Sequence, residues 1–427
     1  MSHTDLTDWL DEQSRRESLW FAKRLSANDT LANNAHQFGP YIPKNVLFAI
    51  FPSLNRPEDK NPDVRLRLQI DSHKGERKEI RAIWYNSRPR GGGTRDESRM
   101  TGFGGRSSPF LDPENTGALI LLVFPPGDNR QIPVCRAWVC RNASEEDLVE
   151  DLIGPVEPGK GFLWAPEIPV GRDLVVPPSK ERSRCWLLGH EIPPEWFRRF
   201  PSGTEIIKKT LEFRPLNGEI SDKRLLKRRE CEYEIFQSVE EAIELPVIRR
   251  GFSSVSEFVD RAQTILQRRK SRSGKSLELH LREIFLEDGL SEGIDFSGQA
   301  ESEPGKRPDF IFPSEAAYKN PLFPSEKLRM LAAKTTCKDR WRQILNEADR
   351  IQVKHLLTLQ EGVSENQFKE MTEAGVKLVV PRSLHDFYPK NIRQNLVSLN
   401  DFIYESRSLG ALSQYGGESI AAEEEGK

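Results

Sequence analysis

Cysteine is scarce in this chain: five in 427 residues, at positions 135, 140, 185, 231 and 337. So few and so scattered, they exclude a disulfide scaffold and a four-ligand zinc site as the basis of the fold. Cys135 and Cys140, set beside Ala137, Trp138 and Val139, are expected to be buried free thiols. Long apolar runs are missing too. None approaches the roughly 20 residues that a membrane-spanning helix needs, and the start, Met1-Ser-His-Thr-Asp, lacks the basic-then-apolar order of a signal peptide. A cytoplasmic protein with no membrane partner is therefore expected. Nor is there a surplus of positive charge. With 63 Lys and Arg against 65 Asp and Glu, the formal net charge is −2, so a nucleic-acid partner has to be met by local basic clusters. No internal repeat is present, and no glycine-rich strand-to-helix turn suits a methyltransferase cofactor.

What is there describes a globular protein, 37% hydrophobic and 30% charged, long enough for two or three domains. Residues 1–20 predict an amphipathic helix with Leu6, Trp9, Leu10 and Trp20 as its larger apolar groups. Residues 23–30, with Lys23 and Asn28, predict a loop rich in hydrogen-bonding side chains, followed by Asn33, Asn34, His36 and Gln37. Residues 64–70 and 80–84 alternate as an antiparallel pair would. A second glycine-rich segment, 89–105, carries Arg88, Arg90, Arg95 and Arg99, with Arg106 just beyond it, against only Asp96 and Glu97. Strands over 118–124 and 132–139 and an acidic helix near 145–152 complete a mostly β domain over 1–172. Its two basic, amide-rich arms suit contacts to phosphates and base edges, although spacing alone favours an ordinary polar loop for the first.

Residues 173–184 shift to proline and charge, a linker signature. Beyond them, 185–408 read as an α/β domain, and the Gly- and Glu-rich residues 409–427 as a disordered tail. Ser254-Val-Ser-Glu257 is a capping box opening a helix. That helix runs into the basic stretch 268–275, which includes Arg269 and Lys270, and Ser276 begins another helix carrying Glu278. Phe310-Ile311-Phe312 is a short strand with Asp309 at its start, and 328–333 a second strand that delivers Lys334. From Trp341 the apolar residues 341, 344, 345 and 348 keep the period of a helix, which places Arg340, Gln343 and Glu347 on one face. Further strands over 355–359 and 376–380 and a final helix over 392–403 predict a mixed sheet covered on both faces.

Phosphodiester cleavage calls for a divalent metal, a polarised water and a cation beside the phosphate. Asp309 and Glu347 are the natural ligands, Glu278 a third carboxylate, and Lys334 the cation. The common nuclease pattern places an acid two residues before the lysine; that position is Ala332, so Glu347 has to supply it. Arg340 suits a bidentate contact to guanine, and Asp339 accepts from cytosine. Spacing alone leaves a solvated surface pair equally open for the carboxylates and the lysine, and favours a solvated charge cluster at a helix start for residues 338–340.

The residues Lys334-Thr-Thr-Cys-Lys-Asp-Arg-Trp-Arg-Gln-Ile-Leu-Asn-Glu347, with Pro308-Asp309-Phe310 and the basic run leading to Glu278, closely resemble EcoRII-type restriction endonucleases. The likeness extends to residues 23–30, 85–88 and 112–118 and so covers most of the chain. It implies a type IIE, effector-dependent enzyme that cuts double-stranded DNA at CCWGG with Mg²⁺, leaving 5′-phosphates. It implies a restriction-endonuclease-like α/β/α core behind a DNA-binding pseudobarrel, and a homodimer paired with a cognate methyltransferase. An N-terminal domain that binds another copy of the site and covers the catalytic cleft is implied as well. By the same resemblance Glu278, Asp309, Lys334 and Glu347 match catalytic positions, with the three carboxylates on the metal. Tyr318 matches an active-site tyrosine, Lys338, Asp339 and Arg340 match the base-reading segment, and Lys270 matches a basic residue near the active site. The spacer between Glu278 and Asp309 is slightly longer than the family's, and the linker matches poorly. Lys23, Asn28, His36, Gln37, Arg88, Arg95 and Arg99 are the expected DNA contacts of the N-terminal domain, and Arg269 and Lys270 join those of the C-terminal one. The alternative is a DNA-binding regulator with a vestigial nuclease core.

Overall fold

The structure is a computed structural model and describes residues 5–15, 17–33, 39–73, 76–105, 107–126, 132–165 and 185–408. His36, Gln37, Arg106, the linker at 173–184 and the tail at 409–427 lie outside the described residues. Two compact units divide the chain. One comprises Met1–Lys180 with Gln360–Lys369 and Asp386–Gln394, the other Glu181–Leu359, Glu370–His385 and Asn395–Lys427.

The first unit is built on seven strands, β1 (Leu19–Arg24), β2 (Asp63–Ile70), β3 (Glu76–Tyr85), β4 (Glu97–Thr101), β5 (Leu119–Phe124), β6 (Val134–Val139) and β7 (Gly161–Trp164), in the order β4-β3-β2-β6-β5-β1-β7. Alternation in β2 and β3 sets their antiparallel register, Leu66 opposite Ile80 and Val64 opposite Ala82, so that one face is apolar. All six residues of β5 are buried because both faces of the sheet are covered. Helix α1 (Leu6–Ser14) lays Leu6 and Trp9 on Trp20, Leu121 and Trp138, and helix α2 (Lys44–Ile50) closes the opposite layer with Val46 and Leu47. Helix α3 (Ala143–Ile153) adds Val149 to the first layer.

Two expectations change here. The N-terminal helix ends at Ser14, and Trp20 belongs to β1, where it meets Trp9 edge-on at 5.7 Å. Lys23 and Arg24 likewise lie on β1 rather than in a loop. Arg24 is buried, and Glu146 and Glu150 meet its guanidinium at 2.7 and 2.8 Å.

The second unit begins with helices α4 (Pro194–Arg198), α5 (Gly203–Phe213), α6 (Ser221–Arg250) and α7 (Val255–Glu287). Its sheet, in the order β12-β11-β10-β9-β8, contains β8 (Ser297–Gly298), β9 (Phe310–Phe312), β10 (Arg329–Lys334), β11 (Lys354–Thr358) and β12 (Val376–Val379). It is mixed as expected: β10, β11 and β12 run parallel, while β8, β9 and β10 pair antiparallel. Leu277, Leu281 and Phe285 of α7 pack with Leu331, Leu357 and Val379 and with Phe402 from the helix over 399–408. Met330, Ala332, Leu356 and Leu378 alternate to the other face and are buried as well. Helix α8 (Glu315–Lys319) follows β9.

Helix α7 is continuous, where two helices broken at the basic stretch were expected. That stretch holds no acid of its own, and its counter-charges come from α6. Arg272 pairs with Glu232 at 2.7 Å, Arg269 with Glu240 at 2.6 Å and Arg268 with Glu244 at 2.8 Å, so the charge does not interrupt the helix. Half of the expected capping box is present: Ser254 Oγ accepts from the Glu257 amide at 3.1 Å, while Glu257 accepts from the amide of Ser253 rather than from that of Ser254. Cys185 and Cys231 form a disulfide with an S–S distance of 2.10 Å, and Cys135, Cys140 and Cys337 are buried free thiols. No helix of the described residues is long and apolar enough to cross a membrane.

Candidate active site

Strand pairing brings the acid and the lysine together. Asp309 immediately precedes β9, and Lys334 ends β10, the antiparallel neighbour of β9. Asp309 Oδ2 accepts from the Ala333 amide at 2.7 Å, and Lys334 Nζ stands 3.5 Å from the same oxygen. Asp309 is buried and Lys334 half-buried, so the carboxylate is fixed by backbone while the ammonium keeps an open side.

Glu278 arrives from α7. Its Oε2 and Asp309 Oδ1 accept from one amide nitrogen, Gln299 Nε2, at 2.7 and 3.2 Å. Burial raises the Glu278 carboxyl above its ordinary range, and the Asp309 charge raises it further. Gln299 is a residue of this group that the sequence reading did not single out. It follows a two-residue strand, too short for periodicity to reveal, so no sequence signal marks it.

Glu347 is placed differently from expectation. Residues Arg340–Asn346 form a 3₁₀ helix, and Glu347 caps it in extended conformation. Only Trp341 and Ile344 are buried there, a spacing of three that suits the tighter helix, and Ala348 then turns left-handed with φ 50°. Burial pushes the Glu347 carboxyl up to about 7; Lys334 opposes this and Asp309 adds to it. Lys354 Nζ donates to the carbonyls of Glu347, at 2.5 Å, and Ala348, at 2.7 Å. The next three amides are held by side chains: Ala348 by Ser302 at 3.3 Å, Asp349 by Glu303 at 2.9 Å and Arg350 by the Tyr318 hydroxyl at 3.2 Å. Tyr318 also donates to Glu303, so its hydroxyl bonds to the turn that follows Glu347.

Lys338 is buried with its ammonium 3.6 Å from Asp339, and Arg342 reaches Glu370 at 2.8 Å. Arg340 is half-buried at the start of the 3₁₀ helix, whereas Lys270 is exposed on α7 and Arg269 is engaged by Glu240. In the first unit Lys23, Asn28 and Arg99 line one cavity of about 270 Å³ with Phe21, Asp29 and Tyr41. Lys23 is ion-paired to Asp29 at 2.6 Å, and Arg99 donates to the Gly39 carbonyl at 3.1 Å. Arg88 and Arg95 lie apart from that lining, exposed in the loop between β3 and β4, where the Arg88 amide donates to the Arg95 carbonyl at 2.7 Å.

Among the described residues no three His, Cys, Asp or Glu side chains stand close enough together to hold a metal ion. The donor chemistry nevertheless suits a hard divalent cation. All the candidates are carboxylate oxygens, and Glu278 and Asp309 already converge on one amide donor, with the Asp309 charge raising the Glu278 carboxyl.

Fold and site together define a mixed α/β unit with a carboxylate–lysine centre, joined to a mostly β unit. Comparison with known proteins sharpens this. The family model described as "Restriction endonuclease EcoRII, N-terminal" matches residues 14–167, and "EcoRII C terminal" matches residues 236–403. The type II restriction enzyme EcoRII of Escherichia coli is 46% identical over 410 residues, 95% of this chain and 98% of that protein. The type II restriction enzyme SsoII of Shigella sonnei is 25% identical over 162 residues, 36% of this chain and 51% of that one. A solved structure described as metal-depleted Ecl18kI with uncleaved, modified DNA superposes with a TM-score of 0.43 at 20% identity, covering 51% of this chain and 81% of that one. The chain belongs to the EcoRII family of type II restriction enzymes.

Proposed function

We propose that this restriction enzyme hydrolyses DNA phosphodiesters at a short palindromic site, CCWGG, with Mg²⁺, leaving 5′-phosphates. The observation that carries the reading is Asp309, oriented by the Ala333 amide with Lys334 3.5 Å away. Asp309, Glu347 and Glu278 are the residues that would hold the metal. A divalent cation held there would supply charge neutralisation at the scissile phosphate and a more acidic water. Lys334 orients that water and holds the negative charge that develops beside it. Lys338, Asp339 and Arg340, four to six residues beyond Lys334, form the base-reading segment, with Lys270, exposed on α7, contributing positive charge toward the backbone. Tyr318 acts through the turn after Glu347 rather than on the reacting atoms.

The first unit is the effector module: Lys23, Asn28 and Arg99 in its cavity, with Arg88, Arg95, His36 and Gln37, take an additional copy of the site and relieve autoinhibition. The differential affinity of DNA for the open form drives that release. Two symmetric cuts in a palindrome call for a homodimer, acting in the cytoplasm beside a methyltransferase that protects the host site. Plasmid digestion with and without Mg²⁺, followed by sequencing of the ends, tests the chemistry and the site; fragments with other ends, or cutting without a divalent cation, refute it. Single-site plasmid cut faster when a site-bearing oligonucleotide is added, and a smaller stimulation in Arg95→Ala, test the effector role.

A further inference from the structure

Gln299 is a neutral side chain that touches two of the carboxylates assigned to the metal. It sits opposite Asp309 across the β8–β9 pair, where its own amide donates to the Asp309 carbonyl at 2.9 Å. Its side-chain nitrogen then donates to Asp309 Oδ1 and Glu278 Oε2. Asp309 is thus gripped on both oxygens, by Gln299 on one and by the Ala333 amide on the other. Gln299 also adopts φ 51°, a left-handed conformation that disfavours any residue with a Cβ and that glycine would take without strain. A glutamine held there against that preference, exposed to solvent yet directed at two acids, points to a role for its amide.

Resting on the metal-site reading above, we infer that Gln299 is a positioning residue. Its amide holds the Glu278 and Asp309 carboxylates side by side until a divalent cation takes over the contact they share. Two like charges left to themselves separate, and Glu278 has the rotamer freedom to leave. An amide donor offsets their repulsion without the strength to compete with a divalent ion, so removing it weakens metal binding rather than strengthening it.

The test is a Mn²⁺ titration of the full-length protein, with free Mn²⁺ read by electron paramagnetic resonance. Wild type is compared with Gln299→Gly, Gln299→Asn and Asp309→Ala. Glycine and asparagine both tolerate the left-handed backbone, so either one keeps the test alive if the other fails to fold. Gln299→Gly is expected to lose about 10–100-fold in Mn²⁺ affinity, the usual effect of removing a group that orients a ligand. Gln299→Asn, one methylene short, should fall between Gln299→Gly and wild type, with a cooperative thermal unfolding transition of the metal-free protein showing that both variants fold. Gln299→Gly that binds Mn²⁺ as tightly as wild type, or more tightly, overturns the inference while leaving the metal site standing. If Asp309→Ala binds as well as wild type, the metal-site reading fails and the inference fails with it.

Discussion

Two charge clusters, the one around Arg24 in the first unit and the one around Asp309 in the second, are answered in opposite ways. In the first, Arg24 is answered at every turn: Glu146 and Glu150 meet it at 2.7 and 2.8 Å, and the carbonyls of Val156 and Gly117 at 2.7 and 3.1 Å. In the second, Asp309 stands 3.5 Å from Lys334 and shares the Gln299 amide with Glu278, and the Glu278 and Glu347 carboxyls are pushed above their ordinary range. A buried charge with full partners is a piece of the fold. Like charges collected with too few counter-charges mark a place built for something absent from the chain itself.

The largest expected effect breaks the under-compensated side. Asp309→Asn keeps the size of the side chain but removes its charge. Cleavage of supercoiled plasmid should fall by about 10³-fold while site-specific binding survives; wild-type turnover would remove Asp309 from the centre. On the compensated side, Arg24→Met removes the counter-charge that Glu146 and Glu150 share. It should lower stability by about 3–5 kcal/mol in urea unfolding, and an unchanged midpoint would end the contrast drawn here. Arg340→Ala should weaken binding to the cognate duplex by about 1–3 kcal/mol. Discrimination against a mismatched duplex, measured alongside, should shrink by a similar amount.

The smallest effect is in pH. Glu347, raised to about 7 by burial, stays protonated below that value. Its contribution to folding is therefore present below the ordinary carboxylate range and is lost as pH rises through about 7. Metal binding, which needs the ionised form, slopes the other way: affinity should fall about tenfold per unit below pH 7 and level off above it. Glu347→Gln should flatten both curves, seen in metal-free thermal unfolding and in metal titration.

Much of this was legible in sequence because the pattern and the packing obey the same period. Leu66, Leu68 and Ile70 alternate because one face of β2 is interior, and Asp309 and Lys334 are placed by two apolar runs that became neighbouring strands. Other features depended on partners distant in the chain. The basic stretch of α7 reads as a helix break until Glu232, Glu240 and Glu244 of α6 are set beside it. The segment before Glu347 carries a helical period, yet tightens to 3₁₀ and turns left-handed at Ala348, where Lys354 and Ser302 bind the backbone. Gln299 had no sequence signal, since its importance lies in a backbone angle and in acids 10 and 21 residues away.

The turn at 348–350 has no regular ladder, yet Ser302, Glu303 and Tyr318 each hold one of its successive amides. In deuterated buffer the protons of Asp349 and Arg350 should exchange slowly and together, since the two side chains that hold them, Glu303 and Tyr318, are hydrogen-bonded to each other. A Tyr318→Phe variant, which removes only an oxygen, should therefore speed exchange at Asp349 as well as at Arg350, so that a single atom on α8 sets how long Glu347 keeps its place.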